Sequence, residues 1–297
     1  MEHFQPIGRI YRGMNHLFSR KIIAGILGVF LAVIIVHTTT FADQITSDTS
    51  SNWSGYIGQS GAYTGVSGTW TVPALTYSTT MTSNATWVGI GGKVTSDLIQ
   101  AGVYEIANSD GSSYQAWYEM LPNDSTPVNL TVHPGDSISV AILETSQNVW
   151  NIVLTNNTSK QQFEKTVTYT SSLSTAEWIQ ERPLINGTLS TLSGFTPITF
   201  TGATAVQNGV RVPLAQTNPQ TINLIDTFAN TALSVPSPIN TNGTSFSVFR
   251  TSATMSAQPT VSVDPTIQSI IPPYELHRTG HDITIGYQTG ITWVNYF

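Results

Sequence analysis

From Ser51 onward the chain is written in short apolar and β-branched runs, separated by Gly, Pro, Asn and Ser at intervals of roughly 8–12 residues. The runs predict strands at Trp53–Ile57, Gly68–Val72, Thr86–Ile90, Leu98–Ile106 and Tyr114–Leu121. Further strands are predicted at Ser137–Leu143, Trp150–Thr155, Glu164–Thr170 and Ala176–Glu181, then at Ile198–Thr201, Val210–Leu214, Thr221–Ile225 and Thr244–Phe249. In Ser137–Leu143 the apolar Ile138, Val140 and Ile142 share one face with no charge on it, as a core-facing strand requires. Pro134-Gly135-Asp136 and Asn240-Thr241-Asn242-Gly243 carry the residues that tight turns need. No long stretch has helical period, and there is no internal repeat or heptad. The pattern is that of an all-β domain, an antiparallel sandwich or barrel.

One run stands apart. Ala176-Glu177-Trp178-Ile179-Gln180-Glu181-Arg182-Pro183 holds two carboxylates in a chain with only 9% charged residues. Strand alternation puts Glu177, Ile179 and Glu181 on one face and Trp178 and Gln180 on the other. Elsewhere Leu98, Gln100, Gly102 and Tyr104 share a face, as do Trp117, Glu119 and Leu121. Taken singly, each has a plain explanation. Gln100 suits a surface position on an edge strand, Glu119 a solvated strand end, and Trp53, Trp87 and Trp117 the core.

Composition narrows the function classes. The 297 residues, 40% hydrophobic and 10% aromatic, are enough for a sizeable core. Net charge is −6 with no basic cluster beyond the N-terminus, which argues against nucleic acid as a partner. The absence of cysteine excludes disulfides and thiolate metal sites. His277 and His281 are four apart beside Glu275 and Asp282, but no helical pattern brings them together, so neither a metal nor a cofactor is expected. No serine has a Gly-x-Ser-x-Gly setting, and Asp-Thr-Gly and Asp-Ser-Gly are absent. A chain so poor in charge has little to lose by self-repulsion in acid.

The ends read differently from the middle. In residues 1–44, Arg9, Arg12, Arg20 and Lys21 precede an apolar run from Ile22 to Val36, followed by Thr40-Phe41-Ala42. This is the charged, apolar, small-residue order of a secretory signal. It is expected either to be cleaved after Ala42, giving an extracellular protein, or to stay as a membrane anchor over residues 22–42. Residues 251–297 are proline-richer and read as an extension, with added strands at Asp282–Tyr287 and Ile291–Tyr296. That leaves 45–250 as the main domain.

Several runs together resemble one family, the glutamic peptidases or eqolisins, of which scytalidoglutamic peptidase is a member. They are Asn52-Trp53-Ser54-Gly55-Tyr56, Thr69-Trp70-Thr71-Val72-Pro73, Trp87-Val88-Gly89-Ile90 and Leu98-Ile99-Gln100-Ala101-Gly102. Ala116-Trp117-Tyr118-Glu119-Met120-Leu121-Pro122, Pro134-Gly135-Asp136-Ser137-Ile138, Ala176–Glu181 and Phe195-Thr196-Pro197 continue the series. The resemblance implies a sandwich of two curved antiparallel sheets, of concanavalin A-like or jelly-roll type, with the substrate on a concave face. It also implies an acid-acting endopeptidase whose catalytic pair is Gln100 and Glu181, with Trp53, Trp87, Trp117 and Glu119 lining the cleft. The expected partners are polypeptide substrates, and the expected state is a monomer. This chain departs from the family pattern at two positions that bear on hydrogen-bond support of the pair. Gly91 stands where the family often has Asp, and Tyr104, followed by Glu105, stands where it usually has another.

The chemistry suits the pair. A glutamate can take a proton from water and return it to the leaving amine. A glutamine cannot ionise, but its NH₂ can donate to the developing oxyanion while its carbonyl positions the water. Two alternatives stand beside this one. A glycosidase would use Glu119 and Glu181 on adjacent strands, and a non-catalytic carbohydrate-binding module would use the tryptophans as a stacking platform. Glu177 and Glu181 cannot be a glycosidase pair, because four residues of strand separate them by roughly 13 Å against roughly 5–9.5 Å for such pairs.

Overall fold

The computed structural model describes residues 46–185 and 188–251, and the backbone of 275–279 and 282–286. The targeting segment, the strand expected at Ile291–Tyr296 and the His277/His281 side chains lie outside the described residues. Among the described residues no helix is long and apolar enough to cross a membrane.

In chain order the strands are β1 (Thr46–Ser50), β2 (Trp53–Gly58), β3 (Tyr63–Thr71), β4 (Thr82–Gly91), β5 (Leu98–Asn108), β6 (Gly111–Met120) and β7 (Thr126–Pro127). Then follow β8 (Ser137–Ser146), β9 (Val149–Asn156), β10 (Gln161–Thr168), β11 (Ala176–Glu181), β12 (Leu184–Ile185), β13 (Thr188–Leu189) and β14 (Ile198–Gln207). The last are β15 (Val210–Pro213), β16 (Pro219–Asp226), β17 (Thr231–Pro236), β18 (Phe246–Arg250), β19 (Glu275–Thr279) and β20 (Asp282–Gly286). A 3₁₀ turn at Leu214–Gln216 is the one helical element among the described residues.

The main hydrogen-bonded path runs β10-β9-β8-β3-β14-β18-β17-β16-β2-β11-β4-β5-β6-β7. It doubles back so that β3 and β8 pack over β4, β5 and β11. The two layers expected of a sandwich are therefore present, but they are laced into one sheet. β17 makes the corner, pairing with β16 on one side and β18 on the other. A register shift between Leu224 and Ile225 supplies the local bend there.

The alternation read from the sequence decides what fills the space between the layers. Ile138, Val140 and Ile142 from β8 are buried in it, as are Trp150, Ile152 and Leu154 from β9. From the facing layer come Val88, Ile90, Ile99, Ala101, Val103 and Trp178. The Trp178 indole N–H donates to the Ser67 carbonyl at 2.9 Å, a bond between the layers. A second apolar cluster lies on the opposite face of β2, β11, β4, β5 and β6, formed by Trp53, Ile57, Ala85, Trp87, Leu98, Tyr104, Trp117 and Ile179 among others. On this second face Gln100, Glu119, Glu177 and Glu181 collect.

A smaller four-stranded sheet, β13-β12-β20-β19, sits at the exit of β11. β12 follows β11 after two residues and pairs in parallel with β20, Leu184 against Thr284 and Ile185 against Ile285. The C-terminal strand expected at Asp282–Tyr287 is thus present and joins the main domain's chain.

Candidate active site

Register across β2, β11, β4, β5 and β6 lays the second face out as three rows. The first runs Ile57, Glu177, Gly89, Gln100, Glu119. The second runs Gly55, Ile179, Trp87, Gly102, Trp117. The third runs Trp53, Glu181, Ala85, Tyr104, Gln115. Every residue named from the sequence as catalytic or cleft-lining lies in one of these rows.

Burial overturns the plain explanations of Gln100 and Glu119, while Trp53, Trp87 and Trp117 are buried as a core position requires. Gln100, Glu177 and Glu181 are 0% exposed and Glu119 is 1%. Gln100 is in a central strand and not an edge, because β5 is paired on both sides. Buried carboxylates are rare unless hydrogen-bonded or neutralised, and the contacts here are specific. Glu181 Oε2 accepts the Trp87 indole N–H at 2.7 Å, and Oε1 accepts from Asn52 Nδ2 at 3.3 Å. Asn52 is itself aimed: the Ser50 hydroxyl donates to its Oδ1 at 2.7 Å, turning the NH₂ toward Glu181. Trp53 meets Trp87 edge-on, with ring centroids 5.1 Å apart.

Gln100 uses its amide differently. Its Nε2 donates to Glu119 Oε2. One N–H is committed there and the other is left over. Its Oε1 is buried and finds no acceptor role among the described residues. The Trp117 indole N–H is likewise buried without a partner there.

Gln100 and Glu181 do not face each other directly. Gln100 is level with Glu177, and Glu181 is level with Tyr104, four residues further along β5. Trp87 spans the diagonal between them. Its N–H end is on Glu181, while Cζ3 lies 3.0 Å and the Gln100 Cβ 3.1 Å from where a Gly89 side chain would begin. Gly102 sits between Trp87 and Trp117 in register, and a Cβ there would lie 2.1 Å from the Thr86 carbonyl oxygen and 2.6 Å from the Trp87 Cβ. No larger residue fits without moving the strand that carries Trp87. This buried face thus holds a glycine between two tryptophans, with the amide on one side and the carboxylate on the other.

The glycosidase pairing requires Glu119 and Glu181 on adjacent strands, and the strand order does not provide that: β4 and β5 lie between β6 and β11.

The two departures from the family pattern now have locations. A side chain at Gly91 (φ +93°) would collide with Asp97, whose Oδ2 lies 2.8 Å from the site of its Cβ. A carboxylate from the facing strand end therefore fills that space. Tyr104 faces the cleft, but Glu105 points the other way, among the polar groups of the interlayer core. It is fully buried, and Thr86 Oγ1 donates to its Oε1 at 3.0 Å.

Burial pushes the Glu105 carboxyl from 4.5 up to about 8, against hydrogen bonds from Thr86 and Asn84 that pull it down. Below pH 4.5 folded and unfolded chains are both protonated here, and the stabilisation is complete. Between that value and about 8 only the unfolded chain gives up the proton, so stability falls as pH rises. Removing this linkage is worth roughly 3–5 kcal/mol at the alkaline end. Glu105→Gln is therefore expected to match wild type near pH 4.5 and to unfold at higher temperature by about pH 8. Calorimetric melting curves across that range measure it, and parallel curves would contradict it.

The Peptidase A4 family model matches residues 51–248. The chain belongs to the Peptidase A4 family. Aspergillopepsin-2 of Aspergillus niger is 30% identical over 191 residues, 55% of this chain and 67% of that protein. Scytalidopepsin B of Scytalidium lignicola is 32% identical over 126 residues, 41% of this chain and 46% of that protein. Among solved structures, scytalido-glutamic peptidase with a transition state analog inhibitor aligns with TM-score 0.58 at 26% identity, covering 68% of this chain and 98% of that one. Aspergilloglutamic peptidase of Aspergillus niger aligns with TM-score 0.52 at 27% identity, covering 57% and 99%. This Peptidase A4 chain is accordingly a glutamic endopeptidase with the family's β-sandwich. Asn52, which orients Glu181, was not singled out from the sequence as a site residue. Its local signal is a Ser-x-Asn turn entering β2, whose first residue, Trp53, pairs with Glu181 in the fold.

Proposed function

We propose that the protein is a secreted, acid-acting endopeptidase in which Glu181 is the general base and then the general acid, and Gln100 stabilises the oxyanion. The observation that carries this is the complementary state of the two side chains. Both Glu181 oxygens accept N–H donors, which fixes the side chain's orientation on the face it shares with Gln100. Gln100 keeps one N–H and its whole carbonyl oxygen for other partners.

An extended peptide lying over Gly102 would bring its carbonyl between them. Glu181 takes the proton as water attacks the carbonyl carbon. The spare Gln100 N–H donates to the oxygen as charge develops on it, and the Gln100 carbonyl holds the water by its remaining hydrogen. When the tetrahedral intermediate collapses, Glu181 returns the proton to the leaving nitrogen, and the carboxylate is restored. Glu119 keeps the Gln100 amide from rotating. The order of charged, apolar and small residues in the N-terminal segment supports secretion.

The test is hydrolysis of acid-denatured casein from about pH 2 to 7, beside a panel of glucans and xylans. Proteolysis confined to the acid side, with no reducing sugar released, is expected. Sugar release without peptide cleavage, or an optimum at neutral pH, would overturn the proposal.

A further inference from the structure

The segment from Tyr169 to Thr175 has no role in the chemistry just described, yet it touches every strand that carries it. The Leu98 amide N–H donates to the Tyr169 phenol oxygen at 2.8 Å, and that hydroxyl donates to the Leu121 carbonyl at 2.8 Å. Leu121 N–H in turn donates to the Leu98 carbonyl at 2.9 Å. One hydroxyl therefore closes a ring across β5 and β6. Leu98 is two residues before Gln100 and Leu121 two after Glu119. Both leucines are buried, so no solvent stands ready to replace the phenol.

The same segment is fastened at its other points. Tyr169 N–H donates to the Asn148 carbonyl at 2.9 Å, and the Trp150 indole N–H donates to the Tyr169 carbonyl at 2.9 Å, which ties it to the opposite layer. Asp97 Oδ2 accepts the Ser172 N–H at 2.7 Å and the Ser171 hydroxyl at 3.1 Å. Gly91 N–H donates to the Thr175 carbonyl at 3.0 Å. The next residue, Ala176, begins β11 and leads to Glu181. Asp97 is also the carboxylate that fills the space beside Gly91.

We infer that the Tyr169 hydroxyl and the Asp97 carboxylate are positioning groups that set the Gln100–Glu119 pair against the strand bearing Glu181. The inference rests on the proposed Gln100/Glu181 chemistry. Two strands leave the cleft at this end and a third enters, and the segment bonds to all three. Because Gln100 and Glu181 meet only across a diagonal, sliding of β11 against β5 changes their separation directly. A misplacement of about 1 Å at reacting atoms costs about 100-fold in rate. Burial would raise the Asp97 carboxyl, but the Ser172 N–H and the hydroxyls of Thr95, Ser172 and Ser171 outweigh it and hold it below the ordinary range.

The experiment compares wild type, Tyr169→Phe, Asp97→Asn and Glu181→Gln. In Tyr169→Phe we expect kcat to fall about 10- to 100-fold with KM within about 3-fold, and exchange of the Leu98 amide hydrogen to accelerate. Asp97→Asn, nearer the surface, should reproduce the kcat loss and carries the test if Tyr169→Phe does not fold. A kcat equal to wild type in both variants, with faster Leu98 exchange, would make the hydroxyl a structural bond only and sink the inference. Unchanged Leu98 exchange in Tyr169→Phe would also sink it. Glu181→Gln separates the two levels: if it is inactive while the positioning variants are normal, the inference fails and the proposed mechanism stands. If Glu181→Gln is active, the mechanism itself fails.

Discussion

Glu181→Gln is expected to lower kcat/KM for a denatured protein substrate by at least about 10³-fold. The substitution keeps the shape of the side chain and removes its ability to carry a proton. Its structural cost is bounded. One amide NH₂ must face either the Trp87 indole N–H or Asn52 Nδ2, a donor against a donor where an oxygen now accepts. Such a mismatch costs about 1–3 kcal/mol, a few degrees in melting temperature for a domain of this size. The outcome that counts is therefore paired: activity lost, with a cooperative melt and near-wild-type circular dichroism. Near-normal turnover in acid would remove Glu181 from the mechanism. Loss of the cooperative melt would place the effect in folding.

Gln100→Ala is the second large effect, expected at about 10²- to 10³-fold in kcat, the usual loss for one oxyanion donor. KM should move little, because the ground-state carbonyl gains less from that donor than the charged intermediate does. The change also strips Glu119 of the amide it accepts from. Glu119 is buried, so part of the effect should appear as a stability loss. Comparing kcat at temperatures well below each variant's melting point separates the two. A variant that loses only stability would show that Gln100 holds Glu119 and does not touch the reaction.

How much of this was legible in the sequence depends on range. β11 runs from Ala176 to Glu181 as the pattern predicts, because a compact run of β-branched and aromatic residues closed by Pro183 leaves few alternatives. The faces were legible too, since side-chain alternation is a local property: Glu177, Ile179 and Glu181 do share one side. Strand order was not. That β4 and β5 lie between Glu181 and Glu119 follows from pairings between distant segments, and no local pattern encodes it. Strands of two residues, such as β7, β12 and β13, are too short to show a period. β17 was missed because Thr231–Pro236 ends in a proline and lacks a clear alternation. The burial of Gln100 and Glu119 ran against their ordinary preference for solvent, and only the family resemblance marked them. That Asp97 fills the space beside Gly91 shows up only in space, where two strand ends meet.

The continuous path of strands has a further consequence. A sheet closed on itself through a corner exposes few edges, and here the ends of the path are β10 and β7. An open edge is a template for any extended chain, and extended chains are what a peptidase meets. Each end is blunted by its own residues. β7 is two residues long and finishes in Pro127, which has no N–H to offer. β10 is largely exposed and carries Glu164 and Lys165 side by side, so a strand laid against it must accommodate both charges. An extended chain laid against either end of the path therefore meets a proline or a pair of charges in place of a clean row of backbone partners.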